Sequence, residues 1–474
     1  MFDPDIAPSG TLLGLLQRGR GDGTLHALAA PRAEALAALH HCVLRDPRHD
    51  WQLENRSLYY ARLHLALDGG LDEIEQHLFG PDDLVGAEER TGLALSVLGH
   101  LAGYGRDDAQ RLLRRYAATG GNWAWALDEL AVRADDATLR GLGASVLARF
   151  PYTPEGDAVL AAAVRDAYEP RPWRLWAENS AAPGIAARVR AAREQGSFDR
   201  WQRQLRPAGP SPGWSVREVL EWVQQCFDGH PAQLRHEAAA RCLAAVAGPE
   251  DRPRILEAAR NGPEAARSAA LRFLADQQDP DALDLLDAAA ASPSGTVADT
   301  ALSSFERMRS IAALERARAW AHRTDAVGNA AAGMLACRGG VRDAGLVLAA
   351  LRRTVRAEGS DARDLWTLVD GTGRLGVPSA APVLRHIYRE TSSSQLRGRA
   401  ARALAATDPS FGAGFAVECL WDCEESTREL AARHVAIGDA RVVEQLRMLA
   451  ADPAEEAEVQ TAVRSRIGPD APAV

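Results

Sequence analysis

From about residue 235 to residue 450 the chain repeats one pattern: a helix rich in small residues, a tight turn with Gly, Asp or Pro, and a second apolar helix. The last large apolar residues of the first helices mark the repeats: Leu243, Phe273, Phe305, Leu335, Leu375, Leu404 and Val435. Their spacing is close to constant, apart from a longer step between Leu335 and Leu375. A short, regular period of this kind is typical of stacked helical hairpins, each too small to bury its apolar face alone. We therefore predict an all-α fold, an α-solenoid forming an elongated curved rod.

The clearest unit consists of a helix over residues 427–437, a Gly438-Asp439 break and a helix over residues 442–449. We expect Gly438 to end the first helix in a left-handed conformation and Asp439 to cap the second. This segment resembles a HEAT repeat of the bacterial type also named for phycobilisome lyases. The resemblance implies an armadillo-type superhelix of hairpins, whose second helices line a concave surface.

The same pattern predicts the other first helices over residues 235–246, 265–275, 297–308, 327–337, 365–375 and 396–406. Upstream it is less regular, and residues 88–101 and 109–116 form the best match. A stretch rich in Pro, Trp and Arg interrupts the helices near its middle. We therefore expect an irregular helical-repeat segment at 1–169, a junction at 170–214, a regular solenoid at 215–466 and a disordered tail at 467–474.

The basic residues exclude several chemistries, because all 55 of the Lys and Arg residues are Arg. Without Lys there is no Schiff-base lysine, no P-loop lysine and no kinase-type strand lysine. Replacement of Lys by Arg is typical of a high-GC genome and suggests a bacterial protein, with an actinobacterial-like composition. The net charge of -9 and a pI near 5.8 argue against nucleic acid as a partner.

Compartment and redox state follow from other features of the sequence. The N-terminal segment lacks the basic start and long apolar core of a secretion signal, and no uninterrupted apolar stretch is long enough to cross a bilayer. We therefore predict a cytoplasmic protein without a membrane partner. Six Cys are scattered without a Cys-x-x-Cys pair. Cys419 and Cys423 would share a helix face and suit metal ligands or a redox pair, or act as small buried hydrophobes.

The junction contains the first candidate binding cluster. Aromatic rings and guanidinium groups alternate there and could stack bases, grip an acidic peptide or hold a carboxylate. The alternative is that the tryptophans plug an irregular junction while the arginines stay solvated. The candidates in this cluster are Arg171, Trp173, Arg174, Trp176 and Trp201.

A second candidate cluster lies at residues 45–56, where Asp50 and Glu54 would share a helix face. That arrangement suits acid–base chemistry or cation binding, or simply a capped and salt-bridged helix start. A third set lies near the ends of the predicted second helices and forms either a ligand-contact ridge or an edge that covers the core. Its members are Trp320, Arg352, Arg353, Arg385, Tyr388, Arg389 and Trp421.

Formal motif matches do not indicate an enzyme. Residues 371–376 fit Gly-x-Gly-x-x-Gly but follow no strand, and His236-Glu237 lacks the second histidine of a zinc-protease helix. The sequence therefore predicts no catalytic residue, no cofactor and no metal site. We expect a non-catalytic binding or scaffolding protein whose partner is another protein or peptide. The HEAT resemblance also leaves open a DNA glycosylase or other DNA-binding enzyme, and a lyase or chaperone-type accessory protein.

Overall fold

The computed structural model describes residues 6–45, 56–81, 83, 88–204, 213–229 and 235–468, with the side chains of residues 88–89 and 196–204 left out. Within these ranges the fold is all-α, as predicted, with 75% of the chain in helices and no strand. No helix in the described part is long and apolar enough to cross a lipid bilayer. Most of the predicted tail at 467–474 lies outside the described residues.

The chain divides into two compact units. Unit 1 contains residues 1–207, 390–401 and 410–474, and unit 2 contains residues 208–389 and 402–409. The helices of unit 1 are α1 (Leu12–Gln17), α2 (Gly21–Ala29), α3 (Arg32–Leu44), α4 (Ser57–Ala66), α5 (Asp72–Leu78), α6 (Glu88–Gly103), α7 (Asp107–Thr119), α8 (Trp123–Arg133), α9 (Asp136–Leu147), α10 (Pro154–Asp166), α11 (Arg171–Ala177) and α12 (Pro183–Gln204), followed after unit 2 by α25 (Phe415–Cys419), α26 (Glu425–His434), α27 (Ala440–Ala451) and α28 (Ala457–Ile467).

Unit 2 begins with α13 (Val216–Gly229), and it contains most of the first helices that the sequence predicts. The others are α14 (His236–Val246), α15 (Arg252–Asn261), α16 (Glu264–Asp276), α17 (Ala282–Ala290), α18 (Gly295–Arg307), α19 (Ile311–Trp320), α20 (Ala326–Arg338), α21 (Ala344–Glu358), α22 (Leu365–Arg374) and α23 (Ala381–Glu390), while α24 (Ser394–Thr407) is divided between the units. Each of the first helices predicted here is present, and its ends fall within a single turn of the expected positions.

Helix packing in unit 2 alternates along the chain. Helices α14, α16, α18, α20 and α22 each contact the next member of that series, and α15, α17, α19 and α21 each contact the helix that follows them. Small residues allow this close approach, since α16 and α20 bury alanines on several sides. Side chains of Ser294, Ser310 and Asp325 accept backbone N–H bonds at the starts of α18, α19 and α20.

The Gly-x-Gly-x-x-Gly match lies in α22 and serves helix packing. A Cβ atom added to Gly371 would lie 2.4 Å from the Cβ of Ala336 on α20, and one added to Gly373 would lie 2.9 Å from the Cα of Ala403. Only residues without a side chain permit these helices to approach so closely. The structure thus gives a packing reason for glycines that the sequence analysis excluded from a dinucleotide site.

One turn differs from its prediction. Helix α26 ends at His434, and Val435 is already extended, so the chain leaves the helix before Gly438. The N–H of Ala436 then bonds to the carbonyl oxygen of Gly412 at 2.9 Å, and Gly438 does not adopt a positive φ. The predicted left-handed ending at Gly438 is therefore wrong. The predicted cap is confirmed, because the Asp439 side chain accepts the N–H of Arg441 at the start of α27.

In unit 1 the N-terminal helices pack on the C-terminal ones. Helix α2 contacts α25, and the N–H of Cys423 bonds to the carbonyl oxygen of Gly19 at 3.0 Å. Arg397 binds the carbonyl oxygens of Arg18 and Gly19 together with the carboxylate of Asp422, and all of these contacts are buried. Segments from opposite ends of the described chain therefore share one core, which the period of the repeat does not predict.

Candidate functional site

An apolar groove lies in unit 1 where α2, α4 and the end of α6 meet α25–α27. Its central hollow has a volume of about 430 Å³, and neighbouring hollows of about 340 and 690 Å³ share its wall at Met448. We define the groove by the apolar residues Leu28, Leu63, Leu420, Trp421, Met448 and Leu449 together with Gln445. Its volume lies in the range of roughly 300–1,000 Å³ typical of ligand sites.

Large apolar side chains remain exposed along this groove. Leu28 is 47% exposed and Met448 is 55% exposed, while Trp421 is half-buried between them. Helix α27 explains the position of Met448, because Val442, Leu446 and Leu449 form its buried stripe and Met448 falls beside that stripe. The groove thus exposes the unbranched, adaptable side chain of Met448 together with the aromatic ring of Trp421.

A network of paired charges supports one wall of the groove. Arg62 lies 2.6 Å from Asp452 and 3.1 Å from Glu455, and Arg428 holds both carboxylate oxygens of Glu455 at 2.8 and 2.7 Å. Burial would raise the pKa of Glu455, but Arg428 outweighs it and keeps that pKa below its ordinary value. Glu455 therefore stays ionised between its two arginines.

Two tyrosines complete this wall as hydrogen-bond donors. The hydroxyl of Tyr104 donates to Asp452 at 2.9 Å, and that of Tyr59 donates to the carbonyl oxygen of Arg20 at 2.8 Å. Burial raises the pKa of Tyr104 to about 12 and raises the pKa of Tyr59 still further. Both phenols therefore remain protonated and hold their neighbours in place.

Gln445 is the one polar side chain of the groove with an open bonding position among the described residues. It is 7% exposed, and its Nε2 donates to the carbonyl oxygen of Leu420 at 3.3 Å, while its Oε1 has no partner there. A buried acceptor without a donor is costly, and this atom is too enclosed for a group in the groove to reach it. The groove therefore suits an apolar, uncharged group.

The first predicted cluster is distributed between core and surface. Trp173 and Trp176 are buried, and Nε1 of Trp176 donates to the carbonyl oxygen of Leu139 at 2.7 Å. Arg171 pairs with Asp136 at 2.5 Å, and Arg174 is exposed. Trp201 lies in α12, but its side chain is outside the described part, so the structure brings only Trp173 and Trp176 together.

The second predicted cluster, with Asp50 and Glu54, lies outside the described residues. Members of the third set have separate roles. Trp320 packs on Phe305 with ring centroids 4.7 Å apart, and Tyr388 is fully buried. Three arginines of the set donate hydrogen bonds: Arg352 to Ser379, Arg353 to Asn329 and Arg385 to Asp408. Arg389 lies in the last turn of α23. Trp421 alone lines the groove.

The cysteines lie apart from any metal or disulfide arrangement. No disulfide joins the six cysteines, and within the described residues no three His, Cys, Asp or Glu side chains form a group that could hold a metal ion. Cys419 and Cys423 are both buried, and burial raises the pKa of Cys423 to about 12. This thiol therefore stays protonated at neutral pH.

Sequence reasoning found Trp421 but missed Leu28, Gln445 and Met448. The signal for Met448 was present, since it is a large apolar residue beside the helical stripe of α27. No such signal marks Leu28, because its exposure follows from the packing of α2 on a distant part of the chain.

Comparison of the chain with protein-family models, curated proteins and solved structures gives no match.

Proposed function

We propose that this chain is a HEAT-like helical-repeat protein that binds a segment of another protein in the apolar groove of unit 1. The alternating packing of α14–α22 supports the repeat assignment, because each helix pair rests on the next. The observation that carries the binding proposal is the continuous groove beside Met448, with two large apolar side chains exposed about half.

The groove also indicates what the partner segment contains. A large apolar side chain would enter the central hollow, whose wall includes Leu63, Leu420 and Leu449. On the rim, Arg441 pairs with Asp439 at 3.0 Å, while Glu444 and Arg447 are exposed with opposite charges, so the charges of these four residues balance. An apolar, uncharged anchor residue is therefore the complementary element of the partner segment.

The proposed setting is the cytoplasm of a bacterium. Six cysteines without a disulfide among them fit a reducing compartment, and complete use of Arg in place of Lys fits a high-GC genome. The proposed role is that of a scaffold, which holds its partner without changing it chemically. The paired charges in the wall of the groove support this role, because Asp452 and Glu455 are each neutralised by an arginine.

Selection of peptides from a displayed random library on the purified protein tests the groove. We expect enriched peptides to share a large apolar residue, with affinity measured by fluorescence anisotropy. Met448→Arg should weaken binding at least tenfold, because a charge replaces the apolar contact. The matched control is Val159→Arg on α10, which changes a side chain 59% exposed outside the groove and should leave affinity unchanged.

Two results would overturn the proposal. One is equal affinity of the selected peptides for the original protein and the Met448→Arg variant, since the groove would then not be the binding surface. The other is failure of the selection to enrich any apolar motif on a protein whose circular dichroism shows the expected helix content.

A further inference from the structure

A second hollow, of about 410 Å³, lies elsewhere in unit 1, between the start of α8, the end of α10 and α11. It shares no lining residue with the apolar groove. Aromatic rings and acids dominate its wall, which includes Trp123, Trp125, Trp173, Tyr168, Asp128 and Asp166. We refer to it as the aromatic hollow.

The aromatic rings form rigid walls that meet nearly at right angles. Trp123 and Trp173 have centroids 6.4 Å apart and planes inclined by 78°, and Trp176 packs edge-on against Trp173 at 5.0 Å. Nε1 of Trp125 donates to Oγ of Ser96 at 3.3 Å. Tyr168 stands at the mouth and is 84% exposed. Ring faces carry partial negative charge, so such walls attract a cation.

Of the two carboxylates in this wall, Asp128 has no cation of the described residues paired with it. Asp128 is half-buried and accepts the N–H of Glu169 at 3.1 Å, and no Arg or His of the described residues forms an ion pair with it. Burial raises the pKa of Asp128 to about 6, and the charges of Glu169 and Glu129 add to that shift. At neutral pH the hollow therefore contains a poorly solvated carboxylate that needs a positive neighbour.

Arginines nearby are engaged at the edges of the hollow. Arg165 pairs with Asp166 at 2.6 Å. The guanidinium of Arg149 lies 5.4 Å from the ring of Trp123 and donates to the carbonyl oxygens of Ala118 and Gly120. These contacts leave Asp128 as the charge that a ligand would neutralise.

We propose that the aromatic hollow binds an organic cation of the quaternary or methylated ammonium class. Methyl groups on the nitrogen would lie against Trp173 and Tyr168, and Asp128 would supply the counter-charge. A metal ion does not fit this wall, because rings cannot replace the oxygen ligands of its hydration shell. A weakly hydrated ammonium with methyl groups suits both the ring faces and the carboxylate of Asp128. The net charge of -9 favours approach of such a cation.

Choline and its uncharged analogue 3,3-dimethylbutan-1-ol test the proposal directly. The two molecules have the same shape, and carbon replaces the charged nitrogen in the second. We expect isothermal titration calorimetry on the full chain to show millimolar or tighter binding of choline. The analogue should bind at least tenfold more weakly, since it lacks the cation–π and carboxylate attraction. Equal affinity of the two molecules, or no choline binding at all, would overturn the proposal.

Variants locate the binding within the protein. Asp128→Asn keeps an acceptor for the N–H of Glu169 but removes the charge, so choline affinity should fall at least fivefold. Tyr168→Ala removes an exposed ring and should lower the affinity about threefold without changing the melting temperature. Tyr152→Ala is the matched control, because Tyr152 is 81% exposed and lies outside the hollow. If Tyr152→Ala weakened choline binding as much as Tyr168→Ala, the assignment to this hollow would be wrong.

Discussion

Single glycines decide whether the two distant segments of unit 1 can meet. Gly21 begins α2, and a Cβ atom placed there would lie only 1.7 Å from the carbonyl oxygen of Glu418. That oxygen belongs to the backbone and has no rotamer with which to move away. A side chain at position 21 would therefore force α2 and α25 apart.

We expect Gly21→Ala to lower the free energy of unfolding by about 3 kcal/mol or more, the upper range for overpacking a tight contact. Urea denaturation followed by circular dichroism measures the change. Gly141→Ala, in the middle of α9, is the control, because no atom lies within 4 Å of its added Cβ. It should raise stability by about 1 kcal/mol through helix propensity. A Gly21→Ala protein as stable as the original would contradict the close approach.

Two buried histidines make unit 1 sensitive to acid. Burial lowers the pKa of His64 to about 4, with a further contribution from His40, and burial next to Arg133 lowers the pKa of His100 to about 3. The folded state therefore binds fewer protons than the unfolded state between about pH 4 and pH 6.5. Stability is complete above pH 6.5 and is lost as the pH falls through that window.

For His64 this linkage amounts to about 2 kcal/mol at pH 5. The variant His64→Gln stays uncharged and should reduce the loss of unfolding free energy between pH 7 and pH 5 by about that amount. His26→Gln, at an exposed histidine of α2, is the control and should leave the pH dependence unchanged. The same pH dependence in all three proteins would show that His64 is not buried in its neutral form.

Several arginines form ion pairs that connect one helix to a turn further along the chain. In each case the acid lies in the turn just before the helix that is two places later in the sequence. In unit 2, Arg252 pairs with Asp279, Arg318 with Asp343, and Arg385 with Asp408. In unit 1, Arg397 pairs with Asp422 and Arg428 with Glu455. The Gly/Asp/Pro turns of the sequence therefore also hold neighbouring helix pairs together.

The pair of Arg397 and Asp422 is fully buried, at 2.8 Å, so removal of one member should be costly. We expect Arg397→Met to lower the free energy of unfolding by about 3–5 kcal/mol, because Asp422 would remain buried without its counter-charge. Arg433→Met breaks an exposed pair with Glu429 within α26 and should cost less than about 0.5 kcal/mol. Comparable losses for the two variants, in urea denaturation, would contradict the buried pair.

At the scale of the whole molecule, unit 1 is formed by helices from both the beginning and the end of the described chain. Cooperative unfolding should therefore link α1–α4 with α25–α27. We expect Arg397→Met to speed hydrogen exchange in both sets of helices, as measured by mass spectrometry, and to leave α16–α20 of unit 2 unchanged. Faster exchange confined to residues 390–468 would contradict the shared core.

Short-range patterns in the sequence specified the helices and their order. Apolar spacing, small residues and turn chemistry act over a few residues, so α14, α16, α18, α20 and α22 could be predicted almost to the residue. Trp421 was also within reach as a large ring near the end of a helix. The glycines of α22 gave a misleading motif match, and their close packing on α20 became evident only from the neighbouring helix.

Long-range packing settled which distant segments share a core and where side chains remain exposed. The groove exists because α2 packs on α25, so that residues of α2 and α27 line one hollow, and the aromatic hollow exists because α8, α10 and α11 enclose Asp128. Local sequence patterns do not indicate such contacts, because the burial of a residue depends on atoms from distant parts of the chain. The hydrogen bond between Gly19 and Cys423 joins residues that are far apart in the sequence, so only the tertiary structure could show it.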